Sequence, residues 1–180
     1  MAGKAKLVSQ FLELLATGVL LGFARRGERK RLLEESDRVW HSIDRKQLYQ
    51  ILERLKLQRA IEVIKQGEGI ETIRLTNKGK AKALTYRFRN LTLPRKKRWD
   101  KKWRLVLFDI QESKKKLRDA LRRKLKELGF LEFQKSVFIY PFACRDEINF
   151  VINFFNLAEC VYYIEAPIDV DSHLRKYFKV

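Results

Sequence analysis

The order of short apolar runs and leucine stripes in the second half is the feature that constrains this chain most. Residues 104–110 form a short apolar run, and residues 113–128 follow with Leu117, Leu121, Leu125 and Leu128 on one helical stripe that Gly129 is placed to stop. Two further strand-like runs come next, residues 130–133 and 136–140, the second closed by Pro141. Residues 146–157 again have helical spacing, and residues 161–165 make a last strand. Strand, helix, two strands, helix, strand is the βαββαβ order, and it predicts a ferredoxin-like domain.

The first half follows a different plan. Residues 4–23 read as a long helix with Leu7, Phe11, Leu14, Leu15, Val19 and Leu21 near helical spacing, ended at Arg26-Gly27. A short charged helix is expected at residues 28–35, with Trp40 as an anchor where the chain turns back. Asp44 is placed to cap a helix running to Leu57, with Gln47 in the reciprocal position and Leu48, Ile51, Leu52 and Leu55 as its buried stripe. The period then drops from 3.6 to 2. Ile61 and Val63 alternate with polar neighbours, Gln66-Gly67-Glu68-Gly69 supplies a turn, and Ile73 and Leu75 return, which predicts a β-hairpin. Thr76 caps one more helix through Gly79, Ala83 and Leu84. Three helices followed by a two-stranded ribbon is the pattern of a winged helix-turn-helix.

The chain is therefore read as α+β, with a winged helix-turn-helix over residues 1–85, a basic linker over 86–102 punctuated by Pro94, and a ferredoxin-like domain over 103–180. Its formal charge of +18 over 180 residues is spread over both halves, so neither is merely a basic tail. A surface so charged repels itself and suits a polyanion, which makes nucleic acid the expected partner. With 12% aromatics and three prolines the composition excludes disorder. Cys144 and Cys160 show no metal-ligand spacing, His41 and His173 cannot complete a zinc site from their neighbourhoods, and both thiols read as small buried hydrophobes in a reduced, cytoplasmic interior. Glu13 in the apolar run of residues 7–24 argues against membrane insertion and for a helix buried by protein. No Gly-rich phosphate loop or Ser-His-Asp set appears, so small-molecule enzymology is unsupported.

Two parts of the chain also resemble known regulators. Leu75-Thr76 and Gly79-Lys80, within residues 73–83, look like the end of the winged helix in PaaX-type transcriptional repressors. Trp99-Asp100-Lys101-Lys102-Trp103, Phe108-Asp109-Ile110, Arg118, Leu121-Arg122, Gly129-Phe130, Gln134 and Ser136-Val137-Phe138 resemble the central domain of those repressors. That domain is similar to the small ferredoxin-like nuclease of CRISPR adaptation, the Cas-two family. Gln111 stands where the repressors usually have Pro, and their third, C-terminal domain has no counterpart in the resemblance.

Three constellations carry the chemistry. In the helix after Asp44, Arg45, Lys46, Tyr49 and Gln50 lie where a recognition helix presents donors to base edges, while Arg54 and the wing residue Lys65 suit phosphates. In the second, the resemblance makes Asp109 the position that in the Cas-two family holds a divalent metal across a dimer axis for phosphodiester cleavage. Its alternative role is to order the following turn by accepting backbone N–H bonds, and that structural role is preferred. The third is a phosphate track of Arg95, Lys96, Lys97, Arg98, Lys114 and Lys115, continued by cations on the outward faces of the helix up to Lys126; a solvated face is its alternative. Trp99 and Trp103 read as packing anchors for the linker.

The expected function is a PaaX-type transcriptional regulator, a repressor in sign, binding duplex operator DNA as a cytoplasmic homodimer. It needs no cofactor and no membrane, and its small-molecule effector is unspecified. The alternative is a magnesium-dependent endonuclease of the Cas-two type with an added DNA-binding head, in which Asp109 is the catalytic metal ligand. A third reading is a non-catalytic subunit of a nucleic-acid assembly.

Overall fold

A computed structural model describes residues 2–16, 34, 37–38, 41, 45–66, 70–94 and 98–180. The chain divides into two compact units, residues 1–90 and 91–180.

The first unit contains α1 (Ala2–Leu15), α2 (Arg45–Leu57), the strands β1 (Ile61–Gln66) and β2 (Ile70–Leu75), and α3 (Asn77–Arg89). The remainder of the first expected helix, all but Glu34 of the charged helix at 28–35, Trp40, Asp44 and the hairpin turn 67–69 lie outside the described residues. One apolar core joins the elements: Phe11, Leu12 and Ala16 meet Ile51 and Leu55 of α2, Ala60, Ile61 and Leu75 of the hairpin, and Ala83 of α3. Of the predicted stripes, Phe11, Ile51 and Leu55 are buried, Leu7, Leu14, Leu15, Leu48 and Leu52 pack partly buried against this core, and Val19 and Leu21 lie outside the described residues. β1 and β2 pair antiparallel from Ile61 opposite Leu75 to Gln66 opposite Ile70.

Local chemistry fixes both ends of that hairpin. At the end of α2, the Arg59 N–H reaches the Lys56 carbonyl at 2.8 Å and the Ala60 N–H reaches Leu55 at 2.9 Å, with Arg59 at φ 54°. This is a Schellman stop built on arginine where glycine is usual. Thr76 caps α3 as expected: its Oγ1 accepts from the Gly79 N–H at 3.1 Å and donates to the Arg59 carbonyl at 2.8 Å, tying the helix start to the hairpin start. Gly79 allows this approach, because a Cβ there would collide with the Ala60 carbonyl oxygen. α3 continues to Arg89, past residue 85 where the first domain was expected to end.

The second unit contains β3 (Trp103–Phe108), a 3-10 turn (Glu112–Lys114), α4 (Lys115–Glu127), β4 (Leu131–Gln134), β5 (Val137–Tyr140), α5 (Arg145–Phe155), β6 (Val161–Ala166) and α6 (Ser172–Phe178). The strands lie in the order β4-β5-β3-β6 with every neighbouring pair antiparallel. This is the expected βαββαβ order in a ferredoxin-like sheet. Gly129 stops α4 at φ 93°, and Asn156, at φ 54°, stops α5 in the same way. On one sheet face Val106, Phe108, Phe138, Tyr140 and Val161 are buried, and α4 and α5 bury Leu121, Leu125, Ile148 and Val151.

α6 was not anticipated. It brings Leu174 against Trp103 and Ile139 on the opposite face of the sheet, with Trp99, Leu131 and Phe178 packed around them. The Trp103 indole N–H donates to Asp171 at 2.9 Å, Asp171 accepts from Arg175 at 2.8 Å, and the Arg175 guanidinium lies 5.1 Å from the Trp99 ring centroid. Both tryptophans are packing anchors, as expected. Among the described residues, no helix is long and apolar enough to cross a membrane.

Candidate nucleic-acid interface

α2 separates its two faces cleanly. Ile51 and Leu55 are buried, while Lys46, Gln50, Glu53 and Arg54 are exposed and Tyr49 keeps 71% of its surface. An aromatic side chain left so open on a helix with a packed opposite face presents both its ring and its hydroxyl to an incoming surface. Lys46, Tyr49 and Gln50 occupy the first half of the helix, and Arg54 lies one turn beyond Gln50 on the same face. Arg45 opens the helix and Lys65 sits in β1 opposite Glu71. The side chains of those two lie outside the described residues.

The basic track is less continuous than the sequence implied. Arg95, Lys96 and Lys97 lie outside the described residues; Arg98, Lys114 and Lys115 are exposed. Arg104, just beyond the basic linker, is a buried strut. Its guanidinium donates to both carboxylate oxygens of Asp100 at 2.5 Å and to the Pro141 carbonyl at 2.8 Å. That pairing pulls the Asp100 carboxyl down from 3.8 to about 2. Lys124, expected on an outward face of α4, is 4% exposed, with its ammonium 3.6 Å from Glu127. Long alkyl stems pack readily while the charged tip finds a partner, which periodicity alone does not reveal.

Other cations of α4 are partly neutralised by acids that precede and follow the helix. Arg118 meets Glu112 at 2.8 Å, and Arg122 and Lys126 converge on Glu132 at 2.5 and 2.6 Å. Those two cations, Lys126 foremost, hold the Glu132 carboxyl below its ordinary range. Among the described residues, Lys114 in the 3-10 turn and Lys116 and Arg123 of α4 are left as exposed cations without an acidic partner.

Asp109 follows β3 directly and is exposed. Its backbone N–H donates to the Cys160 carbonyl at 3.0 Å, but its carboxylate accepts no hydrogen bond among the described residues, so the turn-ordering role expected for it is not there. The nearest acid in sequence, Glu112, is engaged by Arg118 and by Lys115 at 3.6 Å. Magnesium needs several oxygen donors in octahedral array, and the described residues of one chain do not bring them together around Asp109. No group of three or more His, Cys, Asp and Glu that could hold a metal occurs among the described residues. Cys144 is buried, and burial pushes its thiol up to about 12; Cys160 is only half-buried, short of the full burial expected.

A family model described as the PaaX protein central Cas2-like domain matches residues 96–176. The second unit is similar to that domain. The match takes in Trp99, Trp103, the whole sheet and most of α6, so it covers the elements that bury Trp103, while the first unit lies before it. No curated protein matches the chain.

Proposed function

We propose that the chain is a PaaX-type transcriptional regulator, a repressor, whose first unit is a winged helix that reads duplex operator DNA through α2. The observation that carries this reading is the exposed polar and aromatic face of α2, backed by a buried apolar face and followed by a hairpin, in a chain whose second unit is similar to a PaaX central domain. In this reading Arg45, Lys46, Tyr49 and Gln50 contact base edges, Arg54 and Lys65 contact phosphates, and Arg95, Lys96, Lys97, Arg98, Lys114 and Lys115 extend the phosphate track. Each good base contact contributes about 1–3 kcal/mol of discrimination.

The same reading pairs two copies in the cytoplasm. Support comes from the sheet face that α6 leaves open. Tyr162 and Ile164 of β6 are 60% and 45% exposed there, in register with Leu107 and Leu105 of β3. An apolar patch on a chain of this charge suits a second copy of itself, and paired heads would span half-sites about 34 Å apart, or a multiple of that distance.

Selection of bound duplexes from a random library, in magnesium and in chelator, tests the proposal. Enrichment of a palindromic site left intact supports the regulator. Cleavage without enrichment would replace it by the magnesium-dependent endonuclease, for which the exposed Asp109 carboxylate is the specific support.

A further inference from the structure

A cavity of about 520 Å³ opens on the first unit where α1, α2 and α3 meet. That volume is within the range of about 300–1,000 Å³ usual for small-molecule sites. Its floor is apolar, formed by Val8 and Leu12 of α1 and Leu55 of α2. Its walls carry four cations, Arg54 from α2 and Lys78, Lys82 and Arg89 from α3, and among the described residues no acidic side chain lines it.

The arrangement follows from helix geometry. Positions 82 and 89 lie four and eleven residues beyond 78, which places all three on one stripe of α3, and that stripe faces Arg54 of α2 and Gln58 in the turn just after it. The Lys82 ammonium donates to the Gln58 side-chain oxygen at 2.8 Å, a neutral acceptor that leaves its charge uncompensated. Among the described residues, Arg54, Lys78 and Arg89 have no acidic partner either. Solvated surface cations need neither a concavity nor an apolar floor. Here four like charges share the rim of one, and their mutual repulsion is relieved by an anion that also covers the floor.

We infer that this cavity is a binding site for a small amphipathic anion, a single carboxylate or phosphate head on a short apolar body. The head sits among Lys78, Lys82, Arg89 and Arg54, and the body lies on Val8, Leu12 and Leu55. The site stands whether or not the chain binds DNA, although Arg54 borders both surfaces. The same chemistry occurs in a free carboxylate and in an anionic lipid headgroup, and the choice of probes separates them.

The test is a titration of the full-length chain with octanoate, octan-1-ol and vesicles of phosphatidylglycerol, followed by amide chemical shifts. Octanoate is expected to move the amides of Val8, Leu12, Leu55 and the Lys78–Arg89 turns, and to bind at least tenfold more tightly than octanol. The double variant Lys78→Gln/Arg89→Gln is expected to weaken octanoate at least tenfold. Lys116→Gln/Arg123→Gln, which removes the same charge from the second unit, is expected to leave it unchanged. Vesicle binding with an equal octanoate response extends the site to lipid headgroups. Octanoate shifts scattered over both units, equal affinity for octanoate and octanol, equal loss in the two double variants, or binding of vesicles alone would each overturn the inference. The comparison with octanol is made on the unaltered chain, so it decides even if a variant fails to fold.

Discussion

Replacing Gly79 by alanine sets two physical effects against each other. Gly79 lies in the first turn of α3, and helix propensity alone favours alanine there by about 1 kcal/mol. The added Cβ, however, would sit inside the van der Waals envelope of the Ala60 carbonyl oxygen and 3.0 Å from a methyl of Leu75. The Leu75 methyl can rotate away, but the carbonyl is held by the Thr76 N–H at 3.1 Å. Relief therefore requires the hairpin base to withdraw from the helix, straining that hydrogen bond, worth about 1 kcal/mol, and opening a gap beside Ala60, Ile61 and Ala83. Overpacking of this kind costs about 1–3 kcal/mol. With the propensity gain subtracted, the expected net loss is about 2 kcal/mol, confined to the first unit. Amide exchange reads it directly: protection of β1 and β2 amides should fall about 30-fold, while β3 and β5 amides in the second unit serve as an internal reference. Unchanged or increased protection in the hairpin would refute the argument that Gly79 is required by close approach.

Asp109→Ala is expected to leave the unfolding midpoint of the second unit unchanged, because the carboxylate accepts no hydrogen bond among the described residues; a clear loss of stability would show a contact missing from this account. The Asp100 carboxyl is depressed to about 2 by Arg104, so its stabilising contribution is present above the ordinary value of 3.8 and lost as pH falls towards 2. Acid unfolding of Asp100→Asn, followed by near-ultraviolet circular dichroism, should therefore show a weaker dependence on pH across that window, and an unaltered profile would count against the strut. Tyr162→Glu places a charge on the open sheet face and should shift sedimentation from dimer to monomer at micromolar concentration without loss of secondary structure. Persistence of the dimer would place the pairing surface elsewhere.

How far the fold was legible depended on whether a pattern had a local cause. The stripe of Leu48, Ile51 and Leu55, the Thr76 cap and the Gly129 stop each rest on residues within two turns of each other, and each appears where the sequence put it. The Arg59 stop was invisible because arginine accepts a left-handed backbone only when the surrounding contacts impose it. Burial of Arg104 and Lys124 escaped for a different reason: the acids they meet, Asp100 and Glu127, are only four and three residues away, but spacing does not show that the side chains pack into the interior, where Arg104 also reaches the distant Pro141 carbonyl. α6 was missed because seven residues carrying Leu174 and Phe178 give too short a pattern to separate from a polar tail. The polar face of α2 was legible, since opposite faces of one helix follow from spacing. The cationic cavity was not, because it requires three helices to meet.

The central claim is that the exposed face of α2 reads DNA sequence. Anisotropy titrations of a selected duplex and of a scrambled one, at fixed salt, compare the unaltered chain with Gln50→Ala and with Lys114→Gln. The account predicts that Gln50→Ala weakens the selected duplex by about 1–3 kcal/mol while barely changing the scrambled one, and that Lys114→Gln weakens both alike. If Gln50→Ala retained the full preference for the selected duplex, or if the unaltered chain bound both duplexes equally, α2 would not be the reading element.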